Sequence, residues 1–171
     1  MRKSLFLIAL TLTLAFSLSA CGFKLRGTFD AKFAFETIYL ALSETDELHA
    51  ALKRAIESGK TTRIVGDPKT AQAIFSVVSD SKQKNILSLS GTGRVKEFQF
   101  VRTFSFRLHT AKGQNFLPPA TIVIRRDMNF DDTLVLAKES EEAVLWRDIE
   151  SDLVGQLMRR LTKAKNQPLD E

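Results

Sequence analysis

The stretch Glu97–His109, EFQFVRTFSFRLH, alternates between apolar and polar side chains with a period of two residues. Such alternation predicts a β-strand with one buried face and one solvated face. Arg102 is the single interruption of the apolar face. It is consistent with a β-bulge, with a charge at a sheet edge or with a contact to a partner, and we favour the edge position. The apolar face consists of Phe98, Phe100, Phe104, Phe106 and Leu108.

Two further strands flank this stretch. Residues 73–89 are rich in β-forming side chains, and Gly91, Thr92 and Gly93 then predict a turn. Residues 121–130 show a similar alternation, which Arg126 interrupts. A regular hairpin from residue 73 to 110 would have arms of roughly 17 residues, each about 55 Å long. Strands of that length are unusual, so the sequence predicts an elongated sheet with bends or breaks.

Two amphipathic helices lie outside the hairpin. The first follows a short strand at residues 37–42, begins at Ser43, which forms a capping box with Asp46, and ends at Gly59. The second begins at Ser140 and has apolar side chains at a spacing of four residues. The element order β-α-β-β-β-α predicts an α+β fold, a two-layer sandwich in which two helices cover a mixed sheet of about four strands. The apolar side chains of the second helix are Leu145, Ile149, Leu153, Leu157 and Leu161.

The amino terminus has the three parts of a secretory signal peptide: two basic residues, an apolar run and a small-residue cleavage site. The only cysteine, Cys21, follows directly after Ser19 and Ala20. This arrangement predicts a signal peptide at residues 1–20 and a lipidated cysteine; a retained membrane anchor and a chance cysteine are the alternatives. The remaining chain divides into a stalk at residues 21–36, a single domain at residues 37–165 and a frayed tail at residues 166–171.

Composition excludes several classes of function. A lipidated Cys21 leaves no thiol for a disulfide, a metal site or a nucleophile. His49 and His109 have no ligand neighbours at metal-binding spacing. Removal of the signal peptide reduces the net charge of +5 to +3, which favours an anionic partner such as a phosphate-rich lipid over nucleic acid. The sequence therefore predicts a protein that is not an enzyme and needs no cofactor or metal.

Basic residues are expected at one end of the sheet. Antiparallel pairing places the Gly91 turn beside the end of the last strand, so cations near both should gather there. Such a cluster could bind phosphates through charge-assisted hydrogen bonds, or its members could be separate solvated charges. The candidates are Arg94, Lys96, Arg125, Arg126 and Lys138.

Three pieces of the chain, taken in order, resemble the LPS-assembly lipoprotein family of the Gram-negative outer membrane. They are CGFKLRG at residues 21–27, EFQF at residues 97–100, and the segment from Arg125 through LAK at residues 136–138 to RRL at residues 159–161. The resemblance implies a two-helix, four-stranded sandwich without enzymatic activity. It implies a lipid-anchored subunit that plugs the LPS-export β-barrel, assists its assembly and binds lipopolysaccharide.

The resemblance also assigns roles to individual residues. Lys138 lies in the LAK motif, whose lysine takes part in LPS binding in the family, and Arg94 is the nearest match to a second basic residue. Gly22 directly after Cys21 favours sorting to the outer membrane. Exposed Phe and Ile side chains on the uncovered sheet face are candidates for contact with the barrel. The alternative is a periplasm-facing lipoprotein that carries or senses a small apolar or anionic ligand, which requires an enclosed pocket between the helices and the sheet.

Overall fold

The computed structural model describes residues 32–165 and 167–169, so the predicted signal peptide and Cys21 lie outside the described residues. One mixed sheet has the strand order β2-β1-β3-β4-β5, and two helices pack on one of its faces. This arrangement confirms the predicted two-layer α+β sandwich. The elements are β1 (Thr37–Ala41), α1 (Glu47–Ser58), β2 (Arg63–Ile64), a short 3-10 turn (Pro68–Thr70), β3 (Ala73–Leu89), β4 (Val95–His109), β5 (Ala120–Asn129) and α2 (Val135–Leu161).

The sheet has five strands where the sequence predicts about four. The additional strand, β2, is only two residues long and pairs in parallel with β1, Thr37 opposite Arg63. It ends before Gly66, Asp67 and Pro68, and proline lacks the N–H that a longer ladder would need. The added strand lies at the sheet edge and leaves the predicted architecture unchanged.

Both helices begin at a different residue from the one predicted. The carboxylate of Asp46, rather than the Ser43 hydroxyl, caps α1 by accepting a hydrogen bond from the backbone N–H of Leu48 at 2.9 Å. Helix α2 begins at Val135, one turn and more before Ser140, because residues 135–139 are mostly good helix formers. The basic Lys138 therefore lies within the first turns of a helix and not in an exposed turn.

The long β3–β4 hairpin is present, as predicted. Strand β3 has 17 residues and β4 has 15, and the register between them shifts near Val78 and near Leu87. The first shift is a β-bulge, after which the even-numbered side chains of β3 face the helices, with Asp80 opposite Phe104 and Lys84 opposite Phe100. We call the end of the sheet at the β3–β4 turn the distal end.

The apolar core fills the space between the sheet and the helices. The ring of Phe75 stacks on that of Phe106 at 5.5 Å, and the phenylalanines of β4 that carry the alternation all face the helices. No described phenylalanine is exposed, so the Phe side chains named as candidates for barrel contact on the open sheet face are not available there, whereas Ile86 is exposed. Helix α2 has fully buried side chains only from Ile149 onward, although Leu145 and Trp146 also pack against the core. Its buried residues are Ile149, Leu153, Leu157, Met158 and Leu161.

The packed domain extends slightly beyond its predicted limits. Phe35, assigned to the stalk by the sequence, is buried, and its carbonyl oxygen accepts a hydrogen bond from the Thr62 hydroxyl at 2.7 Å. In the tail, the backbone N–H of Leu169 donates to the carbonyl oxygen of Asn115 at 2.7 Å. Of the helices in the described residues, none combines the length and the apolar character needed to cross a membrane.

Candidate functional site

The distal end is formed by two segments that are far apart in sequence. The β3–β4 turn closes through a hydrogen bond from the N–H of Ser90 to the carbonyl of Arg94 at 2.7 Å, and Gly93 takes the left-handed conformation there, with φ of 81°. The N–H of Phe130 donates to the carbonyl of Lys96 at 2.8 Å. This bond holds the loop between β5 and α2, residues 130–134, against the turn.

Three of the predicted cations border this junction. The Arg94 side chain is 73% exposed and pairs with Asp132 at 3.0 Å, whereas Lys96 is exposed and has no carboxylate within 4.0 Å among the described residues. Lys138 is mostly covered, with 17% of its side chain exposed, and its Nζ lies 2.8 Å from Glu141. Two of the three cations are therefore paired with carboxylates that an incoming anion would have to displace.

The loop carboxylate Asp131 lies just before the start of α2. It accepts hydrogen bonds from the backbone N–H and the hydroxyl of Thr133 at 2.9 and 2.7 Å. These bonds, with the nearby charge of Lys138, lower the pKa of Asp131 below its ordinary value. The cations at the distal end thus lie among three carboxylates, Asp131, Asp132 and Glu141, which the sequence reasoning did not include.

Arg125 and Arg126 do not join the distal cations. They are consecutive on β5, so their side chains point to opposite faces of the sheet. Arg125 is exposed on the open face, opposite Val101 of β4. Arg126 faces α2, where hydrogen bonds with Asp152 at 2.9 Å and Asp148 at 3.4 Å raise its pKa. The two arginines were predicted to join the distal cluster, but the pleat of the strand places them on opposite faces of the sheet.

Arg102 also faces α2, and its predicted position at a sheet edge is wrong. Strand β4 lies between β3 and β5, and the Arg102 side chain is 3% exposed. Its Nε and Nη2 bind the two carboxylate oxygens of Asp80 at 3.0 and 2.8 Å, and its Nη1 binds Glu150 of α2. Burial alone would lower the pKa of Arg102, but the hydrogen bonds to Asp80 and Glu150 outweigh it and raise the pKa. Arg102 therefore forms structural ion pairs that join the sheet to the helix.

Exposed apolar side chains surround the distal cations. Several of them lie at the beginning of α2, where successive apolar residues cannot all share one helix face, and others lie at the end of β3. The three consecutive apolar residues at 134–136 are the sequence signal that could have predicted this surface. Its members are Leu134, Val135, Leu136, Ile86, Leu87 and Leu89.

Other kinds of site are not evident in the described part of the chain. Residues 32–165 and 167–169 contain no group of three His, Cys, Asp or Glu side chains that could hold a metal ion. Three clefts formed by these residues are lined by surface side chains, around Lys60, around His49 and around Arg159. None of the three is an enclosed apolar pocket between helices and sheet, which the ligand-carrier alternative requires.

The sequence matches the family model LptE, described as lipopolysaccharide-assembly, over residues 35–161. The chain belongs to the LptE family. This LptE-family chain is 29% identical to the LPS-assembly lipoprotein LptE of Pectobacterium atrosepticum over 167 residues, covering 94% of this chain and 86% of that protein. It is 30% identical to the LptE of Yersinia enterocolitica over 166 residues, covering 91% and 75% of the two chains.

Solved structures share the fold of this LptE-family chain. The solution structure of lipoprotein B from Nitrosomonas europaea has a TM-score of 0.70 and 33% identity, covering 82% of this chain and 90% of that one. Rare lipoprotein B from Shewanella oneidensis has a TM-score of 0.63 at 24% identity, covering 73% and 92%, and shows the fold alone. The family match and the two LptE relatives, rather than these structures, confirm the resemblance to LPS-assembly lipoproteins that the sequence motifs suggest.

Proposed function

We propose that this chain is a subunit of the outer-membrane lipopolysaccharide translocon. In this proposal the lipid on Cys21 anchors it to the outer membrane after export through the periplasm. The chain plugs the export β-barrel, helps to assemble it and binds LPS at the distal end; it catalyses no reaction. The distal juxtaposition of cations and exposed apolar side chains is the observation that carries the LPS-binding part.

Lipopolysaccharide is an amphiphile with phosphate groups next to acyl chains, and the distal end offers partners for both. Arg94, Lys96 and Lys138 can donate charge-assisted hydrogen bonds to phosphate oxygens. The neighbouring exposed side chains of Leu134 and Leu136 can cover part of an acyl chain. Arg126 and Arg125 are not part of this proposed site, because one is paired with α2 and the other lies on the open face.

Charge reversal tests the distal site. The double variant Arg94→Glu/Lys138→Glu should bind LPS at least about tenfold more weakly, because two cations are replaced by groups that repel phosphate. Lys53→Glu/Arg54→Glu on exposed positions of α1 makes the same change in net charge and should retain binding within about twofold. Binding is measured by titration with purified LPS, and circular dichroism verifies that both variants fold. Equal binding by the two double variants would contradict the distal site.

Fractionation tests the anchor and the partner. Detergent-solubilised outer membrane should yield the wild-type chain together with a large β-barrel protein. Cys21→Ser removes the thiol that would carry the lipid, so this variant should move from the membrane fraction to the soluble periplasmic fraction. Ser19→Thr, which leaves the cysteine in place, is the matched control and should remain in the membrane. Recovery of the wild-type chain as a lone monomer would contradict the proposed partnership.

A further inference from the structure

Most of strand β3 has a neighbour on one side only. Strand β1 pairs with Ala73–Ser76 and no further, while β4 pairs along the full length of β3. Residues 77–89 therefore form a free edge that is roughly 40 Å long. Within the described part of the chain, no other strand or loop makes backbone hydrogen bonds to this side of residues 77–89. Alternate residues of such an edge direct an unpaired N–H and C=O outward.

The central part of this edge lacks two features that usually prevent strand addition, a proline and an internal β-bulge. Residues 79–86 contain no proline and pair with β4 in an unbroken register; the two register shifts of β3 flank them. Lys82 and Lys84 are present, but both turn toward the helix-covered side. Lys84 lies 2.5 Å from Glu142, and Lys82 lies over the Trp146 ring at 5.9 Å from its centroid.

The side chains of this edge differ from those of the opposite edge of the sheet. Strand β5 has three consecutive charged residues, 125–127, whereas the charged residues of β3 all face the helix-covered side and its open-face side chains after the bulge are uncharged. Val78, Ile86, Leu87 and Leu89 of β3 are between 46% and 59% exposed. These apolar side chains lie at the two ends of residues 79–86, whose unpaired backbone groups make the strand a template for pairing with another chain.

We infer that residues 79–86 of β3 are a strand-addition site for an extended polypeptide segment of the partner protein. This inference rests on the proposed function, in which the partner is the export β-barrel. The added segment carries a carboxylate at the position that faces Lys82, because Lys82 has no carboxylate within 4.0 Å among the described residues. Main-chain hydrogen bonds provide the affinity in this mode of recognition, and the lysine selects the register.

Hydrogen exchange of the full chain, free and in complex, tests the inference. The probe is the LPS-export β-barrel protein of the same organism, co-expressed with this chain and purified with it. Outward amides of residues 79–86 should exchange at least about tenfold more slowly in the complex than in the free chain. A complex without this protection overturns the inference and leaves the proposed function standing; failure to form any complex overturns both. Protection that appears in the free chain as its concentration rises would show that a second copy occupies the edge, and would also overturn the inference.

Proline substitution at consecutive positions separates strand addition from side-chain packing. Lys82 and Gln83 have their N–H groups on opposite sides of β3. Lys82→Pro and Gln83→Pro should therefore behave differently. The variant whose N–H faces β4 loses a bond to β4 and has a lower melting temperature. The other variant loses an outward donor, keeps its melting temperature within a few degrees and gives at least about tenfold less complex. If both variants keep the complex, the inference is overturned. If both unfold, Lys82→Glu decides: it should reduce complex yield several-fold relative to Lys53→Glu, and equal yields overturn the inference.

Discussion

Replacement of Arg102 by alanine is expected to lower the free energy of unfolding by about 3 kcal/mol, which corresponds to roughly 6–12 °C in melting temperature. The reason is that two carboxylates lose their partner. Asp80 holds the guanidinium in a two-bond arrangement, and Glu150 already has one buried oxygen, Oε1, without a hydrogen bond in the described part of the structure. Without Arg102 the second oxygen of Glu150 would also be uncompensated. Thermal and urea unfolding monitored by circular dichroism measure the change.

Arg125→Ala is the matched control for this experiment. It removes the same kind of side chain from the neighbouring strand, but at an exposed position, and should change stability by less than about 0.5 kcal/mol. The double variant Arg102→Met/Glu150→Leu should recover at least about half of the loss, because an apolar pair of similar volume needs no charge compensation. A loss below about 1 kcal/mol in Arg102→Ala would show that the ion pairs do not hold α2 to the sheet.

The alternation of β4 and the four-residue spacing of α2 were sufficient to predict the architecture. Both are local patterns, and each element buries the side chains that its own period brings to one face. Phe104 and Leu153 illustrate this, since each is fully buried where the sequence placed it. The predicted distal position of Arg94 and Lys96 follows similarly from hairpin topology, which brings the β3–β4 turn to the end of β5.

The remaining features depend on contacts between residues far apart in the chain. Arg102 interrupts an apolar face, and only its partners explain it: Asp80 is 22 residues away and Glu150 is 48 residues away. The bulge near Val78 brings Asp80 to the helix-facing side, and the periodicity of the sequence does not predict this bulge. Lys138 lies inside α2, which begins before the predicted Ser140, because the helix starts at Val135 without a side-chain cap that the sequence could show.

Helix α2 is held to the sheet in two different ways along its length. Fully buried side chains hold it from Ile149 onward, and partly buried side chains such as Leu145 and Trp146 hold it before that point, while the ion pairs occur in both parts. Cations of three strands meet its carboxylates: Lys84 with Glu142, Arg102 with Glu150, and Arg126 with Asp148 and Asp152. The part of α2 before Ile149, which borders the proposed LPS site, has no fully buried side chain, so its attachment depends more on partly exposed ion pairs and is the more sensitive to salt.

Leu153→Ala is expected to lower the free energy of unfolding by about 3 kcal/mol, because Leu153 is fully buried in the core and its removal leaves a cavity. Val144→Ala, on the same helix but 56% exposed, should change stability by less than about 0.5 kcal/mol, since alanine also has the higher helix propensity. Urea unfolding at low salt and at 0.5 M salt measures both.

Added salt should reduce the stability of the wild type while leaving the difference between wild type and Leu153→Ala unchanged. The reason is that salt partly screens the ion pairs but does not affect a cavity in an apolar core. A large loss in Val144→Ala, or a Leu153→Ala difference that disappears in salt, would contradict this account of how α2 is held to the sheet.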